Sequence, residues 1–134
     1  MEIALRKKIY DSADYRGLTD AQKCIFRSVV ADLDERQLLC ASDTAVIASY
    51  SRNVTLARAA SIEIEKHGIV IEQADKYHGL ILKENPAVSV LQRVQKSMED
   101  TAIRLGLTPT GRKRLRGEET PQRSESEKWD EIND

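Results

Sequence analysis

Apolar residues recur at helical spacing along most of the chain. Ile25, Val29 and Leu33 lie four residues apart, and this single stripe predicts a helix over about 20–33. A longer pattern over about 43–67 predicts a second helix, whose buried face includes small residues that allow close packing. That predicted face consists of Val46, Tyr50, Val54, Ala57, Ser61 and Ile64.

The residues at the ends of these two stretches are typical of helix boundaries. Thr19 and Gln22 predict a capping box, in which each side chain accepts a hydrogen bond from the other's backbone N–H. Ser42 is the predicted N-cap of the longer helix, and Asp43 is expected to lie favourably near its positive end. Gly68 is expected to end that helix.

After Gly68 the pattern changes to short runs of β-favouring residues. These runs predict a hairpin with strands near 69–73 and 79–83, separated by polar residues and Gly79. A single hairpin is marginally stable in water, so it must pack on helices of its own chain or on neighbouring subunits. We favour contact between subunits, through strand edges or their side chains.

Two pairs of a capping residue and a proline open the last helices. Asn85-Pro86 begins a helix of about 20 residues, and Thr108-Pro109 begins a short helix to about Leu115. The apolar face of the longer helix consists of Val88, Leu91, Met98, Ala102 and Leu105.

The pattern as a whole predicts a mainly α-helical protein with one β-hairpin before the last long helix. Residues 1–18 are a basic N-terminal segment, with a short helix over about 2–10. Residues 19–116 form the helical core and oligomerisation domain, with the hairpin at about 69–83. From 117 to 134 the chain is highly charged and poor in apolar residues, which predicts a flexible acidic tail.

Composition and charge narrow the class of protein. The 134 residues are 40% hydrophobic and 32% charged, as expected of one globular domain, while aromatic residues are only 4%. Residues 118–134 hold seven acids and two bases, a net charge of −5, so the remainder carries +4. A mildly basic body is compatible with nucleic-acid binding. No run approaches the apolar length of a membrane span or a secretion signal, so we expect a cytoplasmic protein without a membrane partner.

The order of motifs from residue 85 onward resembles the C-terminal signature of the phage terminase small-subunit family. An Asn-Pro-Ala helix start at 85–87 is followed by a long helix and then by Leu-Gly-Leu-Thr-Pro-Thr-Gly-Arg-Lys-Arg-Leu at 105–115. The glycine-bounded hairpin and the long helix ending in His67-Gly68 also resemble that family. The resemblance covers about 19–116.

This resemblance implies a role in viral genome packaging in the cytoplasm of a bacterial host. Small terminase subunits generally assemble into cyclic homo-oligomers and bind double-stranded viral DNA near the packaging start. They recruit or regulate the large terminase subunit, which carries the ATPase and nuclease activities.

The sequence predicts neither enzymatic activity nor a cofactor. It has no GxxxxGK[ST] phosphate loop, and it lacks the clustered carboxylates that a metal-dependent nuclease needs. Cys24, Cys40, His67 and His78 include no pair at a short zinc-ligand spacing, so no metal site is predicted. The two cysteines are expected to be reduced residues in or near the core.

The strongest DNA-binding candidate is a run of four cations within five residues in the last predicted helix. Such a run can neutralise phosphates and release counterions. A solvated helix end would have the same composition, since cations also interact favourably with the C-terminal end of a helix. The run consists of Arg112, Lys113, Arg114 and Arg116. A second, N-terminal candidate consists of Arg6, Lys7 and Lys8.

Two other classes of protein stay open at this point. A dimeric helical transcription regulator would use the helices at 20–33 and 43–67 as a helix-turn-helix, but their connection is longer than the usual turn and lacks glycine. The cations that would then face DNA are Lys23, Arg27, Arg52 and Arg58. A structural adaptor would use the helices for partner contacts alone and would not bind DNA.

The acidic tail contains Trp129 and Ile132 among its charges. These apolar residues could dock the large terminase subunit by folding on binding. A purely solubilising tail is equally compatible with the sequence.

Overall fold

The computed structural model describes residues 2–77 and 79–117, and it confirms a mainly helical fold with a hairpin before the last helices. The helices are α1 (Glu2–Tyr10), α2 (Ala13–Arg16), α3 (Asp20–Glu35), α4 (Thr44–His67), α5 (Pro86–Leu105) and α6 (Pro109–Leu115). The strands are β1 (Val70–Ala74) and β2 (Leu80–Glu84). The predictions for His78, Trp129 and Ile132 concern residues outside the described ranges.

The start of α3 is fixed by the predicted capping box. The backbone N–H of Gln22 donates to Thr19 Oγ1 at 3.3 Å, and the N–H of Thr19 donates to Gln22 Oε1 at 3.0 Å. The amide Nε2 of Gln22 also donates to Thr55 Oγ1 on α4, at 3.2 Å. The box therefore satisfies two helix-end donors and ties the start of α3 to its neighbour.

Helix α4 is the central element, on which α2, α3 and α5 pack. It contacts α5 and α3 most extensively, and also α2. Its deeply buried residues Ile47, Ala48, Ser51 and Ala60 are mostly small, which allows the helix axes to approach closely. The buried Ser51 hydroxyl donates to the carbonyl of Ile47 at 2.8 Å, so its polar group is satisfied within the helix. The core cluster comprises Ile9, Leu18, Phe26, Val29, Val30, Leu33, Ile47, Ala48 and Leu105.

The predicted buried face of α4 was displaced from the real one. The six residues of the predicted face are all half-buried. The fully buried positions are instead neighbouring residues such as Ile47 and Ser51. Val46 and Tyr50 pack against the edge of the core cluster, while Tyr50 and Val54 also line open grooves on the surface. Because α4 lies between α3 and α5, two contact faces meet on it, and a single stripe does not describe its burial.

The start of α4 also differs from the expectation. Ser42 is not the N-cap, because it lies in a 3₁₀ turn over Ala41–Asp43 that precedes Thr44. Asp43 occupies the N-cap position without a side-chain hydrogen bond to the helix. Partial burial raises the pKa of the Asp43 carboxyl, which opposes the expected stabilisation of its charged form by the helix end.

Both cysteines were placed wrongly by the sequence. Cys24 and Cys40 are exposed free thiols rather than residues of the core. Cys24 lies on the exposed side of α3, whereas Phe26, Val29 and Val30 lie on its buried side. Cysteine's general tendency to be buried did not hold at either position.

The hairpin is held at its base by one buried amide. Strands β1 and β2 are antiparallel, with Val70 opposite Glu84 and Ala74 opposite Leu80, each strand starting one residue later than predicted. The N–H of Asn85 donates to the carbonyl of Ile69 at 2.7 Å, and its side-chain Nδ2 donates to that of Gly68 at 2.9 Å. Its Oδ1 accepts from Ala87 N–H at 3.0 Å, capping α5. Asn85 thus joins the end of α4, the hairpin and the start of α5.

None of the helices within residues 2–77 and 79–117 is both long enough and apolar enough to cross a membrane.

We expect Thr19→Ala to lower the free energy of unfolding by about 1 kcal/mol, because the N–H of Gln22 loses its acceptor. Thr19→Ser keeps the hydroxyl and should stay within about 0.5 kcal/mol of the wild type. Urea unfolding at one fixed protein concentration, followed by circular dichroism, measures both variants. Equal losses in the two variants would contradict an anchoring role for the box.

Candidate nucleic-acid interface

The turn between α5 and α6 is built from residues with specific backbone roles. Gly106 ends α5 in the left-handed conformation, with φ 81°. The N–H of Leu107 then returns to the carbonyl of Ala102 at 2.9 Å. Thr108 caps α6 by accepting the N–H of Gly111 at 3.0 Å, and Pro109 occupies the first turn. Both predicted cap-and-proline starts are therefore confirmed, and α6 leaves α5 through a sharp, hydrogen-bonded turn.

Helix α6 lies directly against the backbone of α5. Gly111 is buried, and a Cβ at this position would come 2.2 Å from the carbonyl oxygen of Ile103 and 2.9 Å from its carbonyl carbon. Such distances leave no room for any side chain, so glycine is required by the contact itself. The spacing of Thr108 and Gly111 identifies this residue as the third helical position after the cap, but the sequence does not reveal what lies opposite.

The cations of α6 lie mostly on its outer surface. Lys113, Arg114 and Arg116 are exposed, while Arg112 is half-buried and donates from Nη1 to the carbonyl of Gly106 at 3.3 Å. Leu115 lies among them with 53% of its surface exposed. We refer to Arg112, Lys113, Arg114 and Arg116 as the α6 cluster. It is a short positive surface with an apolar centre, held on a rigid support.

The N-terminal candidate patch is partly engaged within the protein. Nε of Arg6 donates to Asp34 Oδ2 at 2.9 Å, and the same guanidinium forms an ion pair with that carboxylate. Lys7 and Lys8 are exposed. The Arg6–Asp34 pair joins α1 to the last turn of α3, so the positive charge of Arg6 is partly neutralised and the patch is weaker than its sequence suggests.

The structure brings the two candidate patches toward the same end of α3. Arg6 bonds to Asp34 in the last turn of that helix. Leu38, which follows, contacts the α5–α6 turn: a Cβ on Gly106 would lie 2.9 Å from Leu38 Cδ1 and 2.7 Å from Leu115 Cδ1. The sequence alone does not show that the two patches lie toward the same end of α3, because they are about 100 positions apart in the chain.

The alternative helix-turn-helix cations on α3 are directed toward Tyr15. Nη1 of Arg27 donates to the Tyr15 hydroxyl at 2.9 Å, and Lys23 Nζ lies 5.4 Å from the centre of the same ring. The hydrogen bond raises the pKa of Arg27 further, so this residue remains cationic. Arg52 and Arg58 on α4 are exposed. Because Lys23 and Arg27 both contact Tyr15, their arrangement does not favour α3 as the helix that would read bases in a helix-turn-helix protein.

Titratable side chains do not gather into a metal centre in the part of the chain that the structure describes. No three His, Cys, Asp or Glu residues within 2–77 and 79–117 are grouped so that they could hold an ion. His78 lies outside these ranges, so the structure does not place it relative to Cys24, Cys40 or His67.

The hairpin carries a second surface of functional interest. Leu80 is 71% exposed and Leu82 75%, and Val70 shares their face of the sheet. The opposite face presents Ile81, which is 47% exposed. The most extensive contacts of the strands are with each other, so these apolar side chains are not covered by the helices. Large apolar patches of this kind usually mark protein contacts.

Comparison with known proteins finds a family match. A family model described as "Phage terminase, small subunit" matches residues 22–122, about three quarters of the chain. The match begins in the first turn of α3, includes the hairpin and the α6 cluster, and extends beyond the described residues. No curated protein matches the chain. No solved structure matches it either.

We expect Gly111→Ala to displace α6 and to lower the free energy of unfolding by about 1–3 kcal/mol, the usual effect of overpacking. Thr110→Ala, at the exposed neighbouring position, is the matched control and should change stability by less than about 0.5 kcal/mol. Chemical denaturation measures both values. A Gly111→Ala variant as stable as the control would contradict the close contact with Ile103.

Proposed function

The chain belongs to the phage terminase small-subunit family, which gives it a role in phage DNA packaging, and on this premise we propose how its surfaces perform that role. The protein binds double-stranded viral DNA at the packaging start site as a homo-oligomeric ring. It recruits and regulates the large terminase subunit, which hydrolyses ATP and cuts DNA. Its own contribution is positioning, without a catalytic step, in the cytoplasm of the bacterial host.

DNA contact is made by the α6 cluster. The single observation that carries this proposal is the exposure of Lys113, Arg114 and Arg116 on a helix whose position is fixed by the Gly111 contact. Exposed cations lie where phosphates can reach them, and each phosphate contact releases condensed counterions. The rigid support limits the conformational entropy lost on binding. Lys7 and Lys8, toward the same end of α3, add a weaker contact.

Repetition around a ring makes these modest patches sufficient. Each subunit supplies only a few phosphate contacts, and such contacts are individually weak at physiological salt. A ring presents the α6 cluster once per subunit at fixed spacing, so binding of one cluster raises the effective concentration of DNA at the next. The affinity for DNA then depends on ring assembly. In this way a chain with a net charge of only −1 can still bind DNA.

The hairpin is the proposed contact between subunits. Val70, Leu80 and Leu82 share one exposed face, and both strands leave a free edge because the sheet has two strands. Burial of large apolar side chains provides the driving force for association, at roughly 25 cal/mol per Å². The two edges differ, so contact between them is heterologous, which is the kind of interface that generates rings.

Recruitment of the large subunit is assigned to the acidic tail through Trp129 and Ile132. Both residues lie outside the described ranges, so this assignment rests on their sequence. Apolar anchors within a charged segment are typical of regions that fold on binding a partner.

Alanine at all four positions of the α6 cluster should weaken DNA binding and flatten its salt dependence. The loss of three to four phosphate contacts per binding subunit should reduce the slope of log K against log salt by about 3 for each such subunit. Fluorescence anisotropy of a labelled duplex over a series of salt concentrations measures the slope. An unchanged slope would remove the cluster from the binding surface. The matched control removes four exposed cations elsewhere: Lys66, Lys76, Arg93 and Lys96.

The wild-type protein should form a defined assembly of many subunits, and Leu80→Lys with Leu82→Lys should reduce it to monomers. The charges prevent apolar burial between hairpins while leaving the helices intact. Gln73→Lys, on the opposite face of the same hairpin, is the matched control and should retain the assembly. Native mass spectrometry or light scattering over a range of concentrations measures the mass. A wild type that stays monomeric or dimeric at high concentration would contradict the ring and favour a dimeric regulator.

A further inference from the structure

Pairing between the edges of neighbouring hairpins does not by itself cover their apolar face. Val70, Leu80 and Leu82 share that face of the sheet with Glu72 and Glu84. A neighbouring strand would lie about 4.8 Å away in the plane of the sheet, whereas these side chains stand out of that plane. Edge pairing therefore leaves large apolar side chains in water. A further surface is needed to cover them if their burial is to drive assembly.

An open groove between α3 and α4 offers such a surface, and we refer to it as the α3–α4 groove. Its apolar walls are Ile25 and Val29 on α3 and Tyr50 and Val54 on α4. Its volume is about 530 Å³, far above the roughly 30 Å³ that one water molecule occupies in the liquid, so side chains of a partner can enter it. All its lining residues belong to α3 and α4, so the chain's own hairpin does not fill it.

The α3–α4 groove contains apolar positions that the core of one chain uses only in part. Ile25 and Val29 belong to the stripe on α3, and Tyr50 and Val54 belong to the stripe predicted for α4. Val29 is 7% exposed, but Ile25, Tyr50 and Val54 are only half-buried. Apolar stripes of helical period are the usual sequence signature of a contact face. Both stripes thus continue from the core into a surface that a second copy of the chain can cover.

The charges at the α3–α4 groove complement those of the hairpin face. Arg58 lines the groove and is exposed. Arg27 lies beside the groove: its hydrogen bond with Tyr15 is the main cause of its raised pKa, and the Cys24 thiol, which lines the groove, also contributes. Glu72 lies near the middle of the hairpin face. Contact would bring the two acids of that face to a groove with two cations, and such complementarity selects this surface over a like-charged one.

Two other open grooves fit the hairpin less well. The groove beside the α5–α6 turn is lined by Glu99, which would meet the acids of the hairpin face. A groove between α4 and α5 is lined by Asn53 and Ser97, whose side chains are hydrogen-bonded to each other at 3.2 Å. Burial of charged or polar groups against apolar side chains costs free energy. The α3–α4 groove is therefore the best match among the three.

We propose that the apolar face of the hairpin of one subunit binds in the α3–α4 groove of the next copy of the chain. This inference rests on the proposed assembly through the hairpin, and it adds the surface that receives the hairpin. The hairpin and the groove are different surfaces, so each subunit contributes its hairpin to one neighbour and its groove to another. Such a contact is heterologous, as a ring requires.

A native cysteine makes the contact testable by cross-linking. Cys24 is a free thiol that lines the groove, and Cys40, the other cysteine, is replaced by serine. Ala74 lies opposite Leu80 on the apolar face of the hairpin, so Ala74→Cys adds a thiol there and keeps both leucines. A short bismaleimide is then added to the assembled full-length protein. Gln73→Cys, on the opposite face of the same strand, is the matched control.

We expect Ala74→Cys to give a ladder of covalent oligomers, because each chain is linked through its hairpin to one neighbour and through Cys24 to another. Peptide mass spectrometry should identify Cys24 and position 74 as the linked pair. Gln73→Cys should lose this ladder, because its side chain points to the other face of the sheet. Replacing Cys24 by serine should also remove it, since one thiol per chain can give only dimers. Equal products from both hairpin variants, linkage within one chain, or no product from Ala74→Cys would overturn the inference.

Charge exchange tests the same contact without introduced thiols. Arg58→Glu places a carboxylate in the groove that receives Glu72, and the concentration at half-assembly should rise about tenfold. Adding Glu72→Arg to the same chain should restore that concentration to within about threefold of the wild type, because the two charges are exchanged. Arg52→Glu, at an exposed position of α4 outside the groove, is the matched control and should change it by less than about twofold. Sedimentation velocity over a range of concentrations measures all four proteins. A double variant that assembles no better than Arg58→Glu alone would count against the inference.

The mass of the wild type in solution separates this inference from the proposed function. A wild type that stays monomeric at high concentration overturns both, because there is then no contact between subunits. A wild type that assembles, and that loses its assembly in Leu80→Lys with Leu82→Lys, retains the proposed hairpin contact. If the hairpin of that assembly is linked to a surface other than the α3–α4 groove, the inference alone is overturned.

Discussion

Close packing along α4 is the constraint on which the rest of the molecule depends. Its small buried residues, such as Ala48 and Ser51, let α3 and α5 approach on two sides, and the aliphatic core closes around them. Every surface with a proposed function is positioned by this arrangement. Helix α5 runs back along α4, with Asn53 Nδ2 donating to Ser97 Oγ at 3.2 Å, and so it separates the hairpin at one end from α6 at the other. The proposed DNA contact and the proposed subunit contact therefore lie at opposite ends of one helix pair, so a substitution at either end does not directly alter the other.

The features that the sequence predicted well are those determined by neighbours in the chain. The capping box at Thr19 and the starts at Asn85 and Thr108 involve residues two or three positions apart, and all three were confirmed. Each strand of the hairpin begins one residue later than predicted. The local pattern does not include the hydrogen bond that Asn85 makes to the carbonyl of Gly68 at the base of the hairpin. Burial on α4 was missed because it depends on two helices that the local pattern does not include. The four-residue helix α2 is too short to produce a periodic signal.

The residues of the candidate site also fall into two groups, those that the local sequence identifies and those whose contacts depend on the fold. The sequence identified the α6 cluster as basic and helical, since charge and cap are both local properties. It could not identify the pairing of Arg6 with Asp34, which are 28 residues apart, or the engagement of Lys23 and Arg27 by Tyr15. These contacts engage the side chains of Arg6, Lys23 and Arg27 within the protein. The proposed DNA surface on α6 depends in addition on Gly111, which carries no charge but is required where α6 lies against the backbone of Ile103.

The two free edges of the hairpin have a consequence for how assembly can go wrong. A heterologous contact closes into a ring only if the rotation between successive subunits divides the full circle evenly; otherwise the same contact continues into an open filament. In the proposed assembly, the base of the hairpin would set that rotation, because Asn85 bonds to the carbonyls of Ile69 and Gly68 there. A small change in the orientation of the hairpin at Asn85 would accumulate with every subunit added. A residue remote from DNA would then decide whether the protein closes on itself or polymerises without limit.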